Sequence, residues 1–308
     1  MTHKISNEIM LEKLNYNLND KIKYSLNLIN QFYKNMDGNV YIAYSGGKDS
    51  IVLLDLVRKC YPDVLAVFID TGLEFKSLKD NVKKTDNVKV LRPNISFYQV
   101  IKKYGYPIIS KEVSKNISRY RNSNNKDVKL YRKYGIRKNG TIGKFGVIPK
   151  KHHYLIDAPF KISDMCCECL KKKPIKIFEK KYNLKPFIGI KASDSLRRKF
   201  NWLKLGCNIF KINKEKSHAL SIWNDNDVWK YIKINKLNYP NVYDKGEHNT
   251  GCIFCLFGIH LEKYPNRIQR LKYINRKLYY YGLNKLNLKT VLDYMNIDYS
   301  YNKLEDFF

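Results

Sequence analysis

Acidic residues are scarce in this chain. Its 308 residues carry 58 Lys and Arg against 28 Asp and Glu, a formal net charge of +30 and a pI near 9.7. Abundant Lys, Asn, Ile and Tyr fit a coding bias toward A and T, but that bias does little to explain the missing acids. The charge therefore reads as an electrostatic footprint for a polyanion such as tRNA or DNA. Long apolar runs are also missing: none approaches the ~20 residues a bilayer span needs. Met1-Thr2-His3-Lys4 opens no signal-peptide apolar stretch. The expectation is a soluble, cytoplasmic protein with no membrane partner. A hydrophobic content of 44% still suffices for a real core, either one large α/β domain with appendages or two modest domains.

What is present is concentrated at residues 40–57. Val40-Tyr41-Ile42-Ala43-Tyr44 is β-branched, aromatic or small, as a buried strand requires. Ile51 to Val57 is apolar with helical character. Between them stands Ser45-Gly46-Gly47-Lys48-Asp49-Ser50. A strand running through a glycine turn into a helix aims free backbone N–H groups and the positive end of the helix dipole at one point, which suits a phosphate chain. The glycines admit close backbone approach, the serines add hydroxyls, and Lys48 supplies a point charge. This hexapeptide resembles the pyrophosphate-binding loop of the N-type ATP pyrophosphatases, Ser-Gly-Gly-x-Asp-Ser, and is not a Walker A loop. The resemblance implies that ATP is split between its α- and β-phosphates.

Strand-like runs recur at Val64–Ile69, Val88–Leu91 and Phe187–Ile190, alternating with helical segments. That alternation predicts an α/β fold with a doubly wound, mainly parallel sheet covered on both faces, and places ligands at the carboxyl ends of the strands. The loop at 45–50, the turn Asp70-Thr71-Gly72-Leu73-Glu74 and the segment 191–198 all fall at such ends. Residues 1–37 are expected as an N-terminal helical segment, with a helix over 5–36. Residues 38–261 form the α/β domain, and 262–308 a helical tail packed on the sheet domain or on a partner subunit, so that a homodimer is compatible. Within the domain, 115–153 mixes many Lys and Arg with Tyr120, Tyr131 and Tyr134 and shows little apolar periodicity. It is expected as a basic, partly mobile insertion able to track a phosphate backbone.

Seven cysteines occur, at 60, 166, 167, 169, 207, 252 and 255. Cys166-Cys167-Glu168-Cys169 and Cys252-Ile253-Phe254-Cys255 are two sets of closely spaced thiols that, if brought together, would make a four-thiolate metal site; spacing alone does not choose between iron–sulfur and zinc. Buried unligated cysteines or two Cys-x-x-Cys redox pairs are the competing readings. Lys171, Lys172 and Lys173 follow the first set, placed to offset the charge of bound thiolates or to reach nucleic acid.

From about residue 38 to 275 the chain resembles the phosphoadenosine phosphosulfate reductase family, taken broadly. Asp70-Thr71-Gly72 matches the family's motif after its second strand. Cys166-Cys167 with Lys171 and Pro174, Ile188-Gly189-Ile190-Lys191-Ala192-Ser193-Asp194-Ser195 with Arg197 or Arg198, Trp223 through Tyr231, Tyr243-Asp244-Lys245-Gly246 and Gly251-Cys252-x-x-Cys255 follow in the family's order. The resemblance implies an adenine nucleotide alpha hydrolase-like fold. For the cluster-bearing branch it implies a 4Fe-4S cluster held by Cys166, Cys167, Cys252 and Cys255, with zinc the less favoured occupant. Cys169 has no counterpart there, though it is an alternative ligand to Cys167.

Two departures from the reductases shape the functional expectation. No cysteine follows Cys255, where sulfonucleotide reductases carry their nucleophile, and the loop at 45–50 keeps the full ATP form. Both point to branches that activate an acceptor with ATP and then insert sulfur, such as tRNA thiolation enzymes and the ATPase of DNA phosphorothioation. Ser45, Gly46, Gly47, Lys48, Asp49 and Ser50 are then expected on the pyrophosphate, Asp70, Thr71 and Gly72 near the adenosine, and Mg²⁺ on Asp49 or Asp70. Lys48, Asp49, Arg197 and Arg198 are the expected catalytic residues, with Arg197, Arg198 and Lys191 expected on the α-phosphate or the acceptor. A sulfur donor such as a cysteine desulfurase would supply the sulfur, with Cys169 or Cys207 as persulfide carriers. A sulfonucleotide reductase and a non-catalytic nucleic-acid-binding component are the alternatives.

Overall fold

The computed structural model describes residues 7–300, so the first residues of the expected 5–36 helix and the end of the expected C-terminal tail lie outside the described residues. Among these are eight strands: β1 (Val40–Ala43), β2 (Ala66–Ile69), β3 (Val88–Leu91), β4 (Ile108–Ile109), β5 (Lys185–Ile188), β6 (Asn208–Ile209), β7 (Lys216–Ser217) and β8 (Leu256–Phe257). The chain divides into two compact, discontinuous units. One comprises residues 1–70, 75–92 and 174–241, the other 71–74, 93–173 and 242–308. The boundaries expected near 37 and 261 do not separate these units, because each is assembled from segments far apart in sequence.

The first unit holds a six-stranded sheet in the order β3-β2-β1-β5-β7-β6. Its four longer strands pair in parallel, and β6 alone runs antiparallel, to β7. Successive side chains of a strand face opposite sides, and the sheet is covered on both. Val40, Ile42, Ala66, Phe68 and Phe187 pack with Ile29 and Phe32 of the helix Leu18–Asn35 and with Val52, Leu53 and Leu56 of the helix Lys48–Cys60. Tyr41 and Val67 turn the other way onto Phe178 of the helix Lys173–Tyr182. Edge-to-face ring contacts fix both layers: Phe32 to Phe187 at 5.1 Å and Tyr41 to Phe178 at 5.3 Å. Each such side chain, fully buried, contributes about 1.5–3 kcal/mol.

The strand–helix alternation is thus realised as the expected mainly parallel, doubly covered sheet. The N-terminal helix is two helices, Asn7–Leu14 and Leu18–Asn35, because the Asn17 side chain accepts the Asp20 amide at 3.0 Å and starts a new helix. The run expected as a strand at 187–190 pairs at 185–188 instead. Lys21, 2% exposed, meets Asp227 at 2.7 Å inside this unit.

The second unit is mainly helical, with β4 and β8 forming a parallel pair. Here the basic stretch 115–153 departs from expectation: it is folded rather than loosely patterned. Helices Lys111–Asn122 and Lys126–Tyr134 lead to a tight hairpin bridged at Ile136 and Ile142, then to a 3₁₀ helix at Lys150–Asp157. The apolar anchors of these elements are few: Val113 and Ile117, one helical turn apart in the first helix, and Ile148 and Leu155 further on are buried. Helices Arg267–Ile274, Arg276–Tyr280 and Leu288–Tyr294 follow the second cysteine pair. No helix among the described residues is long and apolar enough to cross a membrane.

Candidate functional site

β1 sits where the sheet reverses direction: β2 and β3 lie to one side of it, β5 and β7 to the other. Ligands of parallel sheets collect at this switch point, outside the carboxyl ends of the strands. The segment that leaves β1 there is Tyr44 to Gly47, which delivers the helix Lys48–Cys60.

Backbone requirements explain its glycines. Gly46 has φ of +73°, and a Cβ there would lie 3.0 Å from Val82 Cγ2 and 3.3 Å from the Leu78 carbonyl oxygen. Gly47 occupies the N-cap and makes no side-chain cap bond to the helix it starts. Ser50 ties the loop together: its Oγ donates to the Gly47 carbonyl at 2.8 Å and accepts from the Ser45 amide at 3.2 Å and the Ser45 hydroxyl at 3.1 Å. Gly189, just beyond β5, passes so close to the helix start that a Cβ would sit 3.2 Å from the Asp49 carbonyl oxygen.

Two buried ammoniums stand behind this loop. Lys48 and Lys191 have side chains 1% and 2% exposed. Asp225 Oδ1 bridges them, 3.1 Å from Lys48 Nζ and 3.0 Å from Lys191 Nζ. Asp49 lies 3.3 Å from Lys48 and also pairs with Lys191, which reaches Asp194 at 3.1 Å. Burial opposes the charge on Lys191, yet Asp49, Asp194 and Asp225 outweigh it and hold the ammonium at about 12. Burial likewise pushes the Asp225 carboxyl up, and hydrogen bonds from Lys191 and Lys48 more than reverse it, leaving the carboxyl below its ordinary value. Lys48 and Lys191 are thus held by three carboxylates, Asp49, Asp194 and Asp225, which an anion arriving at the loop would have to displace or share. Sequence reasoning gives no role of their own to Asp194 and Asp225. Asn224 and Asp227 form a capping box that marks a helix start at Asp225, but nothing local says where that start points.

The other expected nucleotide residues are distributed differently. Asp70 ends β2 and is held by Lys79 at 2.5 Å and Arg92 at 3.6 Å. Both carboxylates expected to carry Mg²⁺, Asp49 and Asp70, are thus already partnered by cations, and a metal arriving with its phosphates would share or replace those partners. Thr71 and Gly72 belong to the second unit. There Thr71 donates its amide and hydroxyl to the Glu74 carboxylate at 3.0 and 2.6 Å. The neighbouring Leu73 carbonyl accepts the Ile253 amide at 2.9 Å. The expected adenosine-side turn is therefore bonded to the second cysteine loop. Arg197 and Arg198 lie exposed in the first turn of the helix Leu196–Leu205, and Arg198 pairs with Asp194.

The four expected metal ligands gather in the second unit. Cys166 and Cys167 form a short helical turn that continues through a π-helical turn, Glu168–Lys172, a distortion common at functional sites. Burial, followed by the charges of Cys167, Cys252 and Cys255, pushes the Cys166 thiol well up, against Lys171. Burial also raises Cys252 and Cys255. Lys171 is itself held above its ordinary value: burial works against its charge, but Cys252, to which it is hydrogen-bonded, then Glu74 and Cys167 prevail. Arg267 donates to the Cys255 carbonyl at 2.9 Å. The charged groups that act on Cys169 are Lys173, Glu168 and Lys103, none of them a cysteine. Cys207, expected as a persulfide carrier, is 4% exposed beneath Trp202, whose indole N–H lies 2.9 Å from its sulfur, so it is closed to a donor.

Cys166, which interacts with the other three cysteines, and the partly buried Lys171 ammonium beside Cys252 make up a donor set whose chemistry fits an anionic thiolate-held group. Among the described residues, no group of three or more His, Cys, Asp or Glu is placed to hold a metal ion. The fit is one of donor chemistry and not of coordination geometry.

The fold is that of an α/β protein whose glycine loop leaves β1 at the switch point of its sheet. The pattern of the phosphoadenosine phosphosulfate reductase domain matches residues 39–256. The chain belongs to that family. It is 28% identical over 251 residues to an uncharacterized protein of Methanocaldococcus jannaschii, covering 78% of this chain and 47% of that protein, so it spans about half the length of that relative. It is 22% identical over 244 residues to an adenosine 5'-phosphosulfate reductase of Lysinibacillus sphaericus, covering 79% and 84% of the two chains. Among solved structures, a phosphoadenylyl-sulfate reductase from Candida auris aligns with a TM-score of 0.44 and 16% identity over 82% of this chain and 98% of that one.

Proposed function

We propose that the chain is an adenylating ATP pyrophosphatase that supports sulfur insertion into nucleic acid, either tRNA or DNA. The observation that carries this reading is the pair of buried ammoniums, Lys48 and Lys191, at the base of the Ser45–Ser50 loop. A β–γ pyrophosphate presents the charge that such a pair takes in exchange for its carboxylate partners Asp49, Asp194 and Asp225. An acceptor oxygen attacks the α-phosphorus, the bond from that phosphorus to the bridging oxygen breaks, and AMP joins the acceptor as pyrophosphate leaves. Amides of the loop and the first helical turn hold the leaving group, and Lys48 and Lys191 stabilise the charge that grows on it. Arg197 and Arg198 are assigned to the α-phosphate or the acceptor. Mg²⁺, held through Asp49 or Asp70, supplies further charge neutralisation on the phosphates.

Cys166, Cys167, Cys252 and Cys255 are assigned as ligands of a 4Fe-4S cluster, with zinc the less favoured occupant. When bound, a cluster supplies an iron site for sulfur or a cross-link between two chain segments. Lys171 balances the charge of the thiolates. A separate donor, such as a cysteine desulfurase, supplies the sulfur that displaces AMP.

The names of relatives such as the Lysinibacillus sphaericus enzyme favour a second reading, reduction of a sulfonucleotide. The two separate on products. Anaerobically purified protein given ATP, Mg²⁺ and nucleic acid should release pyrophosphate, and given adenosine phosphosulfate with a thiol donor it should release no sulfite. Sulfite release without pyrophosphate release would select the reductase.

A further inference from the structure

Phe145 is 88% exposed, and Ile142 on the same hairpin is 75% exposed. Neither exposure comes from a slack loop. The Tyr131 hydroxyl donates to the Phe145 carbonyl at 2.8 Å, and the Arg132 guanidinium donates to the next carbonyl, that of Gly146, at 2.7 Å. Across the hairpin, the Arg137 amide reaches the Thr141 carbonyl at 2.9 Å and the Gly143 amide reaches the Gly135 carbonyl at 2.8 Å. The Ile148 amide closes the base on the Arg132 carbonyl at 2.7 Å. The backbone is thus tied down on both sides of a phenyl ring left in water.

The setting of that ring is strongly cationic. Residues 126–151 contain nine Lys and Arg and one Asp. Lys144 adjoins the ring in sequence, and Arg137 packs beside Gly143, where a Cβ would lie 3.1 Å from its Nη2. Arg137, Lys138, Lys144, Lys150 and Lys151 are all exposed. Proteins that bind unpaired strands pair a positive track for the phosphates with aromatic faces for the bases. A duplex buries its base faces and offers only groove edges to such a ring.

We propose that the hairpin 135–148 and the helix Lys126–Tyr134 form a docking surface for single-stranded nucleic acid, with Phe145 as a stacking platform for an unpaired base and Arg137, Lys138 and Lys144 on the flanking phosphates. This deepens the proposed function and rests on its reading of nucleic acid as the acceptor. RNA and DNA share the chemistry it recognises.

The test is fluorescence anisotropy of the full chain with labelled single-stranded dT and rU oligomers, the matching duplex, and vesicles containing phosphatidylserine. Single strands should bind more tightly than duplex, with affinity falling steeply as salt rises. Phe145→Ala should weaken single-strand binding roughly five- to a hundredfold, the span of one lost stacking contact, and Phe145→Trp should restore it. Arg137→Ala with Lys138→Ala should flatten the logarithmic salt dependence by about 0.7 per lost phosphate contact. The unfolding midpoint of each variant, expected to match that of the parent, checks the fold. Strand binding left unchanged by Phe145→Ala would overturn this surface while the nucleic-acid acceptor stands. Absence of binding to any strand would overturn both. Capture by vesicles but not by strands, lost in Phe145→Ala, would make this a membrane-docking hairpin and overturn the proposal.

Discussion

Asp225 lies 3.0 Å from Lys191, and its side chain is 58% exposed where that of Lys191 is 2% exposed. The same oxygen is 3.1 Å from Lys48. An exposed carboxylate therefore occupies the charge that an incoming phosphate would take. Asp225→Asn removes that competitor and should tighten the binding of inorganic pyrophosphate. Solvent at the exposed carboxylate screens this pair to on the order of 1 kcal/mol, so the gain should be roughly two- to fivefold. Calorimetric titration of both proteins checks it; weaker binding in Asp225→Asn would mean that the carboxylate orients the lysines instead of competing for them.

The pairing of Lys21 with Asp227 predicts a stability effect away from the phosphate loop. Lys21 is 2% and Asp227 is 8% exposed, and the Asp227 carboxylate also accepts the Asn224 amide at 2.8 Å. Lys21→Met leaves a buried carboxylate without its cation and should cost about 3–5 kcal/mol. Adding Asp227→Asn removes the stranded charge but keeps the cap, so the double variant should recover much of that loss. Urea unfolding of the two single variants and the double variant measures the coupling; simple additivity would refute it.

Acid should destabilise the fold before the carboxylates titrate. Burial, with help from Lys216 and Arg198, lowers His218 to about 4. A histidine whose folded value lies below its unfolded value, about 6.5, contributes stability that is full above 6.5 and is lost as pH falls toward 4. Between pH 7 and pH 5 the loss from His218 should be about 2 kcal/mol. His152 and His260 are lowered by burial too and add to the same trend. His218→Gln should therefore shrink, without abolishing, the difference in urea midpoint between those two pH values. An unchanged difference would contradict the assignment.

What the sequence made legible was local. β1, its glycine loop and the following helix form one uninterrupted stretch, and β3 carries its own short apolar run, so periodicity and turn chemistry suffice for them. Asp225 is far from Lys48 in the chain, and its meeting with that lysine depends on how helices stack on the sheet, which no spacing encodes. β6 and β7 are two residues each, too short to show alternation. The helices at 111–134 were obscured because their buried stripe is narrow and lysine-rich faces surround it. Cys166 and Cys252 illustrate the opposite case: far apart in sequence, they were linked by the chemistry of paired thiols.

The central claim is that the loop at 45–50 and its two lysines act on a triphosphate by cutting between the α- and β-phosphates. The most direct measurement is the identity of the products when the anaerobically purified chain turns over ATP with Mg²⁺ and nucleic acid, beside the Lys48→Ala variant. AMP and pyrophosphate from the parent, with a loss of about a hundredfold or more in Lys48→Ala, is the predicted result. ADP and phosphate, or pyrophosphate release undiminished without Lys48, would contradict it.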